Sequence, residues 1–242
     1  MKNLFNIILK VIDFFYQKKI INFFKKQKIE KYNVLIDVGA HKGETVNNFL
    51  KNFKIQNIYS FEASNKTYKD LEINIDKIKK KYNKTNIEIF NKGIGASNDN
   101  KIFNELPDSN SSTFVLIDQN SSYFKRKNKI LSFFIKKDFF IEKNIVSQIK
   151  LSDFIREKNI KTIDVLKIDT EGYELEVLKG LEQSIRFVNF IYFEHHYDNM
   201  IKKNYKFSEI HHFLVTNGFS RVFKIKMPLR KSFDYIYSKK PL

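Results

Sequence analysis

The chain has 242 residues, which is enough for one α/β domain with an extension and a sizeable hydrophobic core. It contains no cysteine, which excludes disulfides, thiolate metal sites and cysteine nucleophiles and favours an intracellular, cytoplasmic location. Its formal net charge of +17 would suit binding to nucleic acid or to an anionic surface. The lysines, however, are scattered and arginine is scarce, as expected of an A+T-rich coding sequence. We therefore expect no specific nucleic-acid partner.

Residues 1–30 are an amphipathic extension in which apolar side chains are interleaved with lysines. Lys10 and Asp13 interrupt the apolar run before the roughly 18 to 20 residues needed to cross a bilayer, and no small-residue cleavage site follows it. Two interpretations stay open. The extension is a helix or helix pair packed on the domain, which we favour, or a basic helix in peripheral contact with the inner face of a membrane.

The segment NVLIDVGAHKG at residues 33–43 predicts a buried first strand that ends in a tight glycine turn. Gly39 and Gly43 permit positive φ and let a ligand approach the main chain, and the helix that begins at Glu44 presents free N–H groups. Ligands of parallel α/β sheets lie outside the carboxyl ends of the strands. The turn is therefore a predicted ligand site.

A second strand, Ile55–Phe61, ends at Glu62, which is placed to accept both hydroxyl hydrogens of a ribose. The spacing Gly-x-x-x-Gly lacks the dinucleotide fingerprint, and the chain has no phosphate loop for a nucleoside triphosphate. These observations favour S-adenosylmethionine, with Asp37 holding its ammonium group or a water beside it. The alternative is an ordinary strand that happens to end in Asp-x-Gly.

The first part of the domain follows a β-α-β-α-β order. A long helix over Asn65–Tyr82 has apolar residues spaced by three or four, and Ile87 and Ile89 begin a third strand. This order predicts an α/β fold, with a mostly parallel, doubly wound sheet and helices on both faces, over residues 31–242.

Residues 98–144 break the alternation and predict an insertion over the cofactor end of the sheet. Lys101–Leu106 and Ser112–Ile117 are expected to pair as a hairpin around Pro107 and Asp108, followed by an aromatic and basic stretch that reaches Phe139. The insertion would serve as a lid or a substrate wall. A plain connector is the alternative.

Regular structure resumes at Val146–Ile149. The remaining predicted elements are a helix over Asp153–Lys158 capped by Ser152, a strand Ile163–Ile168, a helix through Leu175, Leu178 and Leu181, a strand Phe187–Phe193, a helix Phe207–Asn217 closed by Gly218, and an antiparallel edge hairpin of Arg221–Lys226 and Phe233–Tyr237.

Two polar clusters follow buried strands at what should be the same rim of the sheet. They are Asp169, Thr170 and Glu171 after one strand and Glu194, His195 and His196 after the next. A carboxylate or imidazole there is suited to take a proton from a substrate hydroxyl, although the same residues also suit helix capping or burial. They are also residue types that hold divalent cations, but we expect no metal.

The motifs DVGAHKGET, FE at 61–62 and, most specifically, LKIDTEGYELEVLKG at 166–180 resemble the FkbM family of S-adenosylmethionine-dependent methyltransferases over roughly Val34–Phe219. The resemblance implies a class I, Rossmann-like fold whose seven-stranded sheet has an antiparallel last strand, and O-methylation of a sugar or related metabolite. It implies these cofactor-binding residues: Asp37, Gly39, Ala40, His41, Gly43, Glu62, Ala63 and Asn91. The lysine-rich extension, and Ala63 where proline often follows the acid, depart from the family pattern and leave the substrate open.

Methyl transfer needs mainly alignment of the acceptor and removal of its proton, because sulfonium is a good leaving group. We expect Asp169 to be the catalytic base, with Glu171 and His195 as further candidates, and the acceptor to be a small molecule or a glycan. Two rival functions remain: an RNA methyltransferase, suggested by charge and the aromatic insertion, and a non-catalytic membrane-associated module.

Overall fold

The computed structural model describes residues 2–106, 111–134, 141–228 and 230–239. The helices in chain order are α1 (Lys2–Lys26), α2 (Glu44–Leu50), α3 (Asn65–Lys81), α4 (Ser122–Phe134), α5 (Leu151–Glu157), α6 (Glu174–Lys179) and α7 (Phe207–Thr216). The strands are β1 (Lys31–Val38), β2 (Lys54–Phe61), β3 (Asn86–Phe90), β4 (Gly93–Ile94), β5 (Asp99–Glu105), β6 (Glu142–Ile149), β7 (Ile163–Ile168), β8 (Val188–His196), β9 (Phe219–Lys226) and β10 (Ser232–Lys239).

Seven strands form one sheet in the order β3-β2-β1-β7-β8-β10-β9. The pairs among β1, β2, β3, β7 and β8 are parallel, whereas β10 is antiparallel to both of its neighbours. Strand order reverses beside β1, where β2 lies on one side and β7 on the other. The predicted mostly parallel sheet with an antiparallel last strand is confirmed, and the reversal places a ligand crevice at the carboxyl end of β1.

The two faces of this sheet are buried by different helices. Strand residues such as Leu35 and Phe190 pack with α1, α2 and α3, and the alternate residues, such as Ile36, pack with α5, α6 and α7. The second half of α1 belongs to this core: Phe24 is fully buried, with its ring centroid 5.7 Å from that of Phe190. The structure thus packs residues 16–24 of the extension on the domain. No helix in the described part of the chain is long and apolar enough to cross a membrane.

A second, three-stranded sheet in the order β4-β6-β5 carries the insertion. The predicted hairpin of Lys101–Leu106 with Ser112–Ile117 is wrong, because β5 pairs antiparallel with β6 along its whole length. Ser112–Ile117 contributes two isolated bridges, one between Thr113 and Asn104 and one between Ile117 and Ile201. The aromatic and basic stretch forms a helix that was not predicted, α4, over Ser122–Phe134. Three residues named in the prediction lie outside the described residues: Pro107, Asp108 and Phe139.

The other differences between prediction and structure concern the residues at which helices and strands begin or end. Ser152 is not the cap of α5: the helix begins at Leu151, Lys150 takes the cap position, and the Ser152 hydroxyl donates to Glu182. β8 continues through His196 rather than stopping at Phe193. Gly218 has φ +84° directly after α7, as predicted, and β9 and β10 form the predicted antiparallel pair.

Candidate active site

The glycine turn after β1 joins the carboxyl ends of three strands. Gly39 and Gly43 have φ of +76° and +86°, and the N–H groups of Gly39 and Ala40 both donate to the carbonyl of Phe61 at 2.9 Å. A Cβ on Gly39 would lie 1.8 Å from the carbonyl oxygen of Asp169. Glycine at this position is therefore what lets the ends of β1 and β7 approach each other.

Glu62, directly after β2, is held by the backbone on both sides. Its Oε2 accepts the N–H of His41 at 2.9 Å and its Oε1 accepts the N–H of Ser64 at 2.9 Å. Burial raises the pKa of Glu62 to about 7, although these two hydrogen bonds act to lower it. Each carboxylate oxygen keeps a lone pair beyond its backbone donor, so Glu62 can still accept from two ligand hydroxyls.

Asn91 and Ala63 border a cavity beside Glu62. The Asn91 amide donates to the Glu62 carbonyl at 2.9 Å, which ties the end of β3 to the end of β2. The cavity has a volume of about 600 Å³ and lies between the start of α3 and the small sheet, where Phe103 and Glu105 form part of its wall. This volume is typical of small-molecule sites.

Asp37 does not face the cavity but a buried lysine. The Lys167 ammonium lies 3.3 Å from Asp37 Oδ1 and 3.3 Å from Asp169 Oδ2, and donates to the Gly39 carbonyl at 3.1 Å. Burial raises the pKa of Asp37 to about 6, with Lys167 acting in the opposite direction. Lys167 was missed in the sequence, although a lysine in the mostly apolar run IDVLKI was a visible signal.

Asp169 stands at the start of a strained turn after β7. Although burial acts to raise it, the cations Lys167 and His196 hold the pKa of Asp169 below its ordinary value. Its side chain is 34% exposed, so it is an ionised carboxylate within reach of a ligand. Glu171 and Gly172, which follow it in the turn, both have positive φ, 51° and 94°.

Glu174 stabilises this turn through hydrogen bonds to its backbone and to Thr170. It is fully buried, and its Oε1 accepts the N–H of Thr170 at 3.3 Å, the Thr170 hydroxyl at 3.2 Å and the N–H of Gly172 at 2.9 Å. The Tyr205 hydroxyl donates to Oε2. Glu174 was not predicted as a site residue, because its place within the LKIDTEGYELEVLKG motif carries no local sign of its burial.

The insertion, residues 98–144, also contacts this turn. The buried Thr113 hydroxyl donates to the Glu171 carbonyl at 2.8 Å. Further along, the Asp118 N–H donates to the Met200 carbonyl at 2.7 Å, which joins the insertion to the loop after β8. The insertion therefore lies over the carboxyl ends of β7 and β8, the location expected of a lid or substrate wall.

A buried histidine, His196, is surrounded by carboxylates next to Asp169. Its Nε2 lies 3.0 Å from Glu171 Oε2 and 3.2 Å from Glu194 Oε1, and its Nδ1 lies 3.4 Å from Asp198 Oδ2. Burial acts to lower the pKa of His196, but Glu171 and Glu194 outweigh it and raise the pKa well above its ordinary value. Glu171 is thus paired with an imidazolium.

His195 points to the opposite face of β8, away from this cluster, because successive strand residues alternate. Its ring lies 4.8 Å from that of Tyr197 and 5.4 Å from that of Phe207 by centroids, and burial lowers the pKa of His195 to about 3. The structure therefore brings Asp169 and Glu171 together and separates His195 from them. Among the described residues, no three His, Asp or Glu side chains are arranged to hold a metal ion.

Comparison with known families gives the class of this site. The sequence profile of the methyltransferase FkbM domain matches residues 37–223. The chain belongs to the FkbM methyltransferase family. As predicted, it is an S-adenosylmethionine-dependent methyltransferase with a class I fold. No curated protein sequence matches it significantly.

Solved structures of methyltransferases are similar to this FkbM-family protein at low sequence identity. Magnesium protoporphyrin IX methyltransferase (ChlM) from Synechocystis PCC 6803, with bound SAM, has 9% identity and a TM-score of 0.53 over 96% of this chain and 82% of its own. M. capricolum TrmK in complex with S-adenosyl-homocysteine has 11% identity and a TM-score of 0.50 over 93% and 68%. The methyltransferase FkbM from Methylobacillus flagellatus KT has 14% identity and a TM-score of 0.49 over 85% of this chain, which spans 44% of that protein's length.

Proposed function

We propose that this FkbM-family protein transfers the methyl group of S-adenosylmethionine to a hydroxyl of a sugar, a glycan or a related metabolite. The observation that carries the proposal is the direct contact between the glycine turn and Asp169, whose main chains meet at Gly39. A turn suited to the donor and an ionised, partly exposed carboxylate suited to the acceptor proton are thereby adjacent. This is the juxtaposition that O-methylation requires.

The residues around the turn fit the donor. Glu62 retains two lone pairs for ribose hydroxyls, its oxygens being fixed by the N–H groups of His41 and Ser64. Ala63 and Asn91 border a cavity beside it where an adenine can lie. Gly39, Ala40 and Gly43 shape the turn. Asp37 acts through Lys167, whose ammonium neutralises it.

When bound, S-adenosylmethionine supplies a methyl group on a positively charged sulfur. The protein's own contribution is to hold the acceptor hydroxyl behind that methyl group and to take its proton. Asp169 is suited to the proton transfer because Lys167 and His196 keep its carboxylate ionised at neutral pH. Glu171 is buried and lies 3.0 Å from His196 Nε2, so a ligand reaches it less readily than Asp169, and we assign it a supporting electrostatic role.

The test of Asp169 is the variant Asp169→Asn, which keeps the size of the side chain and removes its basicity. We expect turnover to fall by roughly 100-fold and the dissociation constant for S-adenosylhomocysteine, measured by calorimetric titration, to change by less than about threefold. Asp76→Asn, on the exposed face of α3, is the matched control. Unchanged turnover in Asp169→Asn would remove Asp169 from this role.

The acceptor class is tested by methyl transfer from radiolabelled donor to panels of sugars, acidic glycans and RNA. The net charge of +17 favours acidic glycans over neutral ones through long-range attraction, an effect that salt screens. We expect label on a glycan or sugar hydroxyl and only weak, sequence-indifferent RNA binding at physiological salt. Label on RNA would support the rival acceptor instead.

We place the reaction in the cytoplasm, with α1 in peripheral contact with an anionic membrane surface. Phe14 and Phe15 on α1 are 62% and 58% exposed, and Phe14 shares a helix face with the exposed Lys18. Exposed aromatics beside lysines suit a surface of anionic headgroups. Co-sedimentation with vesicles containing phosphatidylserine should fall when Phe14 and Phe15 are both replaced by serine; binding that does not change would contradict this placement.

A further inference from the structure

The cavity beside Glu62 is closed on one side by the small sheet β4-β6-β5. Phe103 of β5 and Asn144 of β6 are direct partners in the strand register, so both lie on the same face of this sheet. Glu105 follows two positions after Phe103, which puts it on that face as well. All three residues line the cavity, and of the described residues that do so Glu105 is the one carboxylate. The insertion therefore places an acid at the wall of this cavity.

Glu105 is a buried acid whose position is fixed by two hydrogen-bond donors. The Ser64 hydroxyl donates to Oε1, and the Asn144 amide donates to Oε2 at 2.7 Å. Because each carboxylate oxygen accepts more than one hydrogen bond, both oxygens keep capacity for a ligand. Glu105 is 9% exposed, and a buried carboxylate is stabilised by each donor that it gains. A ligand N–H group in the cavity is therefore a favourable partner for it.

Ser64 fixes Glu105 relative to Glu62, the acid that is suited to the ribose. Its N–H donates to Glu62 Oε1 at 2.9 Å, while its hydroxyl donates to Glu105. The same hydroxyl accepts the N–H of Thr67 at 3.1 Å and so caps α3. Both carboxylates are thus tied to one residue at the start of a helix. A nucleoside that binds Glu62 through its ribose and directs its base into the cavity brings that base to Glu105.

The chemistry of Glu105 suits one edge of adenine. Adenine carries an amino group, N6, with two hydrogens to donate, whereas a base with a carbonyl oxygen at the same position only accepts there. A carboxylate accepts and does not donate. Asn91, which also lines the cavity, donates its amide hydrogens to the backbone carbonyls of Glu62 at 2.9 Å and Ala63 at 3.3 Å. Asn91 therefore shapes the edge of the cavity, and Glu105 is the acceptor placed for the amino group.

We propose that Glu105 accepts a hydrogen bond from the N6 amino group of the donor's adenine and so selects adenine over bases that carry a carbonyl oxygen there. The insertion is then part of the donor site as well as a wall above the acceptor. This inference rests on the proposed position of the adenine beside Ala63 and Asn91. A site built around an N–H group of its ligand rejects an analogue that lacks it, because the buried acceptor is left unpaired.

The test compares S-adenosylhomocysteine with S-inosylhomocysteine, which has a carbonyl oxygen in place of the amino group, by calorimetric titration of the full chain. The wild-type protein should bind the adenosyl compound about 100-fold more tightly, or better. Glu105→Gln supplies an amide N–H that can donate to the carbonyl oxygen. It should therefore weaken binding of S-adenosylhomocysteine about 10-fold and strengthen binding of S-inosylhomocysteine by a similar factor, so that the ratio of the two dissociation constants falls by about 100-fold.

Two further variants make the result specific. Glu142→Gln is the matched control: Glu142 is exposed, lies directly opposite Glu105 in the strand register and does not line the cavity, so both dissociation constants should stay within about threefold. Glu105→Asp keeps the charge but withdraws the carboxylate by one methylene group. It should weaken binding of S-adenosylhomocysteine without strengthening that of S-inosylhomocysteine, and it keeps the test decisive if Glu105→Gln does not fold. Melting temperatures of all variants are measured alongside.

An unchanged ratio of dissociation constants in folded Glu105→Gln overturns the inference, and so does wild-type affinity for S-adenosylhomocysteine in Glu105→Asp. Ala63→Leu, which fills part of the cavity beside Glu62, separates this inference from the proposed position of the adenine. If Ala63→Leu leaves binding of S-adenosylhomocysteine unchanged, the base lies elsewhere and both fail. If it weakens binding while the ratio in Glu105→Gln is unchanged, only the inference fails. These titrations need no acceptor, so their result is independent of which acceptor is methylated.

Discussion

Replacing Gly39 by alanine tests the contact on which the site is built. With φ at +76°, an alanine at this position would be in the left-handed region, and its Cβ would lie 1.8 Å from the Asp169 carbonyl oxygen. Cβ contacts below 3.0 Å are essentially absent from proteins, so β1 and β7 must separate here by about 1.2 Å. The substitution therefore combines a backbone cost with a steric one.

The two costs can be separated with a control that the chain itself offers. Gly218 has φ +84°, and a Cβ added to it would have no heavy atom of the described chain within 4 Å, so Gly218→Ala carries the backbone cost alone, about 1 to 2 kcal/mol. Overpacking adds about 1 to 3 kcal/mol, so Gly39→Ala should lose about 2 to 5 kcal/mol of unfolding free energy in urea denaturation.

Activity should separate the two variants more strongly than stability does. A displacement of about 1 Å at a reacting group costs on the order of 100-fold in rate, so Gly39→Ala should lose turnover and donor affinity, and Gly218→Ala should keep both. Equal unfolding free energies and equal turnover in the two variants would show that the Gly39 and Asp169 main chains are not in the contact described here.

Three further predictions concern buried acids and a histidine. Glu174→Ala should reduce turnover by about 100-fold by releasing the turn after Asp169, and Glu174→Gln, which keeps an acceptor oxygen, should restore most of it; equal losses in the two variants would contradict this role. Burial raises the pKa of Glu62 from 4.5 to about 7, so ionisation of Glu62 destabilises the ligand-free fold as the pH rises through this range. Glu62→Gln should abolish this decline in unfolding free energy, which is on the order of 3 kcal/mol, and should weaken donor binding about 10-fold or more. An unchanged dependence of unfolding free energy on pH in Glu62→Gln would contradict the prediction. Burial lowers the pKa of His195 from 6.5 to about 3, so its contribution to stability is present above pH 6.5 and is lost as the pH falls toward 3. His195→Phe should show on the order of 4 kcal/mol less acid destabilisation, and its turnover near pH 8 should stay within about threefold of the wild-type value. A large loss of turnover would make His195 a catalytic candidate again.

The positions of the site that follow from local pattern were predictable. A short apolar run stopped by glycine marked β1 and its turn, and an acid at the end of the next run marked Glu62. A polar cluster at the end of a later buried run marked Asp169 and Glu171, which lie beside that turn in the structure. Such signals are carried by neighbouring residues, so they need no knowledge of distant contacts.

Strand pairing within the insertion was not predictable in the same way. Ser112–Ile117 and β6 both contain short apolar runs, and nothing local distinguishes which of them pairs with β5. The choice between His195 and His196 had a similar origin. β8 continues to His196, and only the position of the sheet between its helical layers decides which of two consecutive side chains faces Asp169.

The sequence by itself determined the order of elements, the glycine turn and the acids at the strand ends, because periodicity and backbone preference act over a few residues. Only the tertiary structure decided that Lys167 belongs to the site, since a buried ammonium is tolerable only where carboxylates from other segments reach it. Charge compensation in the interior depends on distances through space, and the fold alone sets those distances.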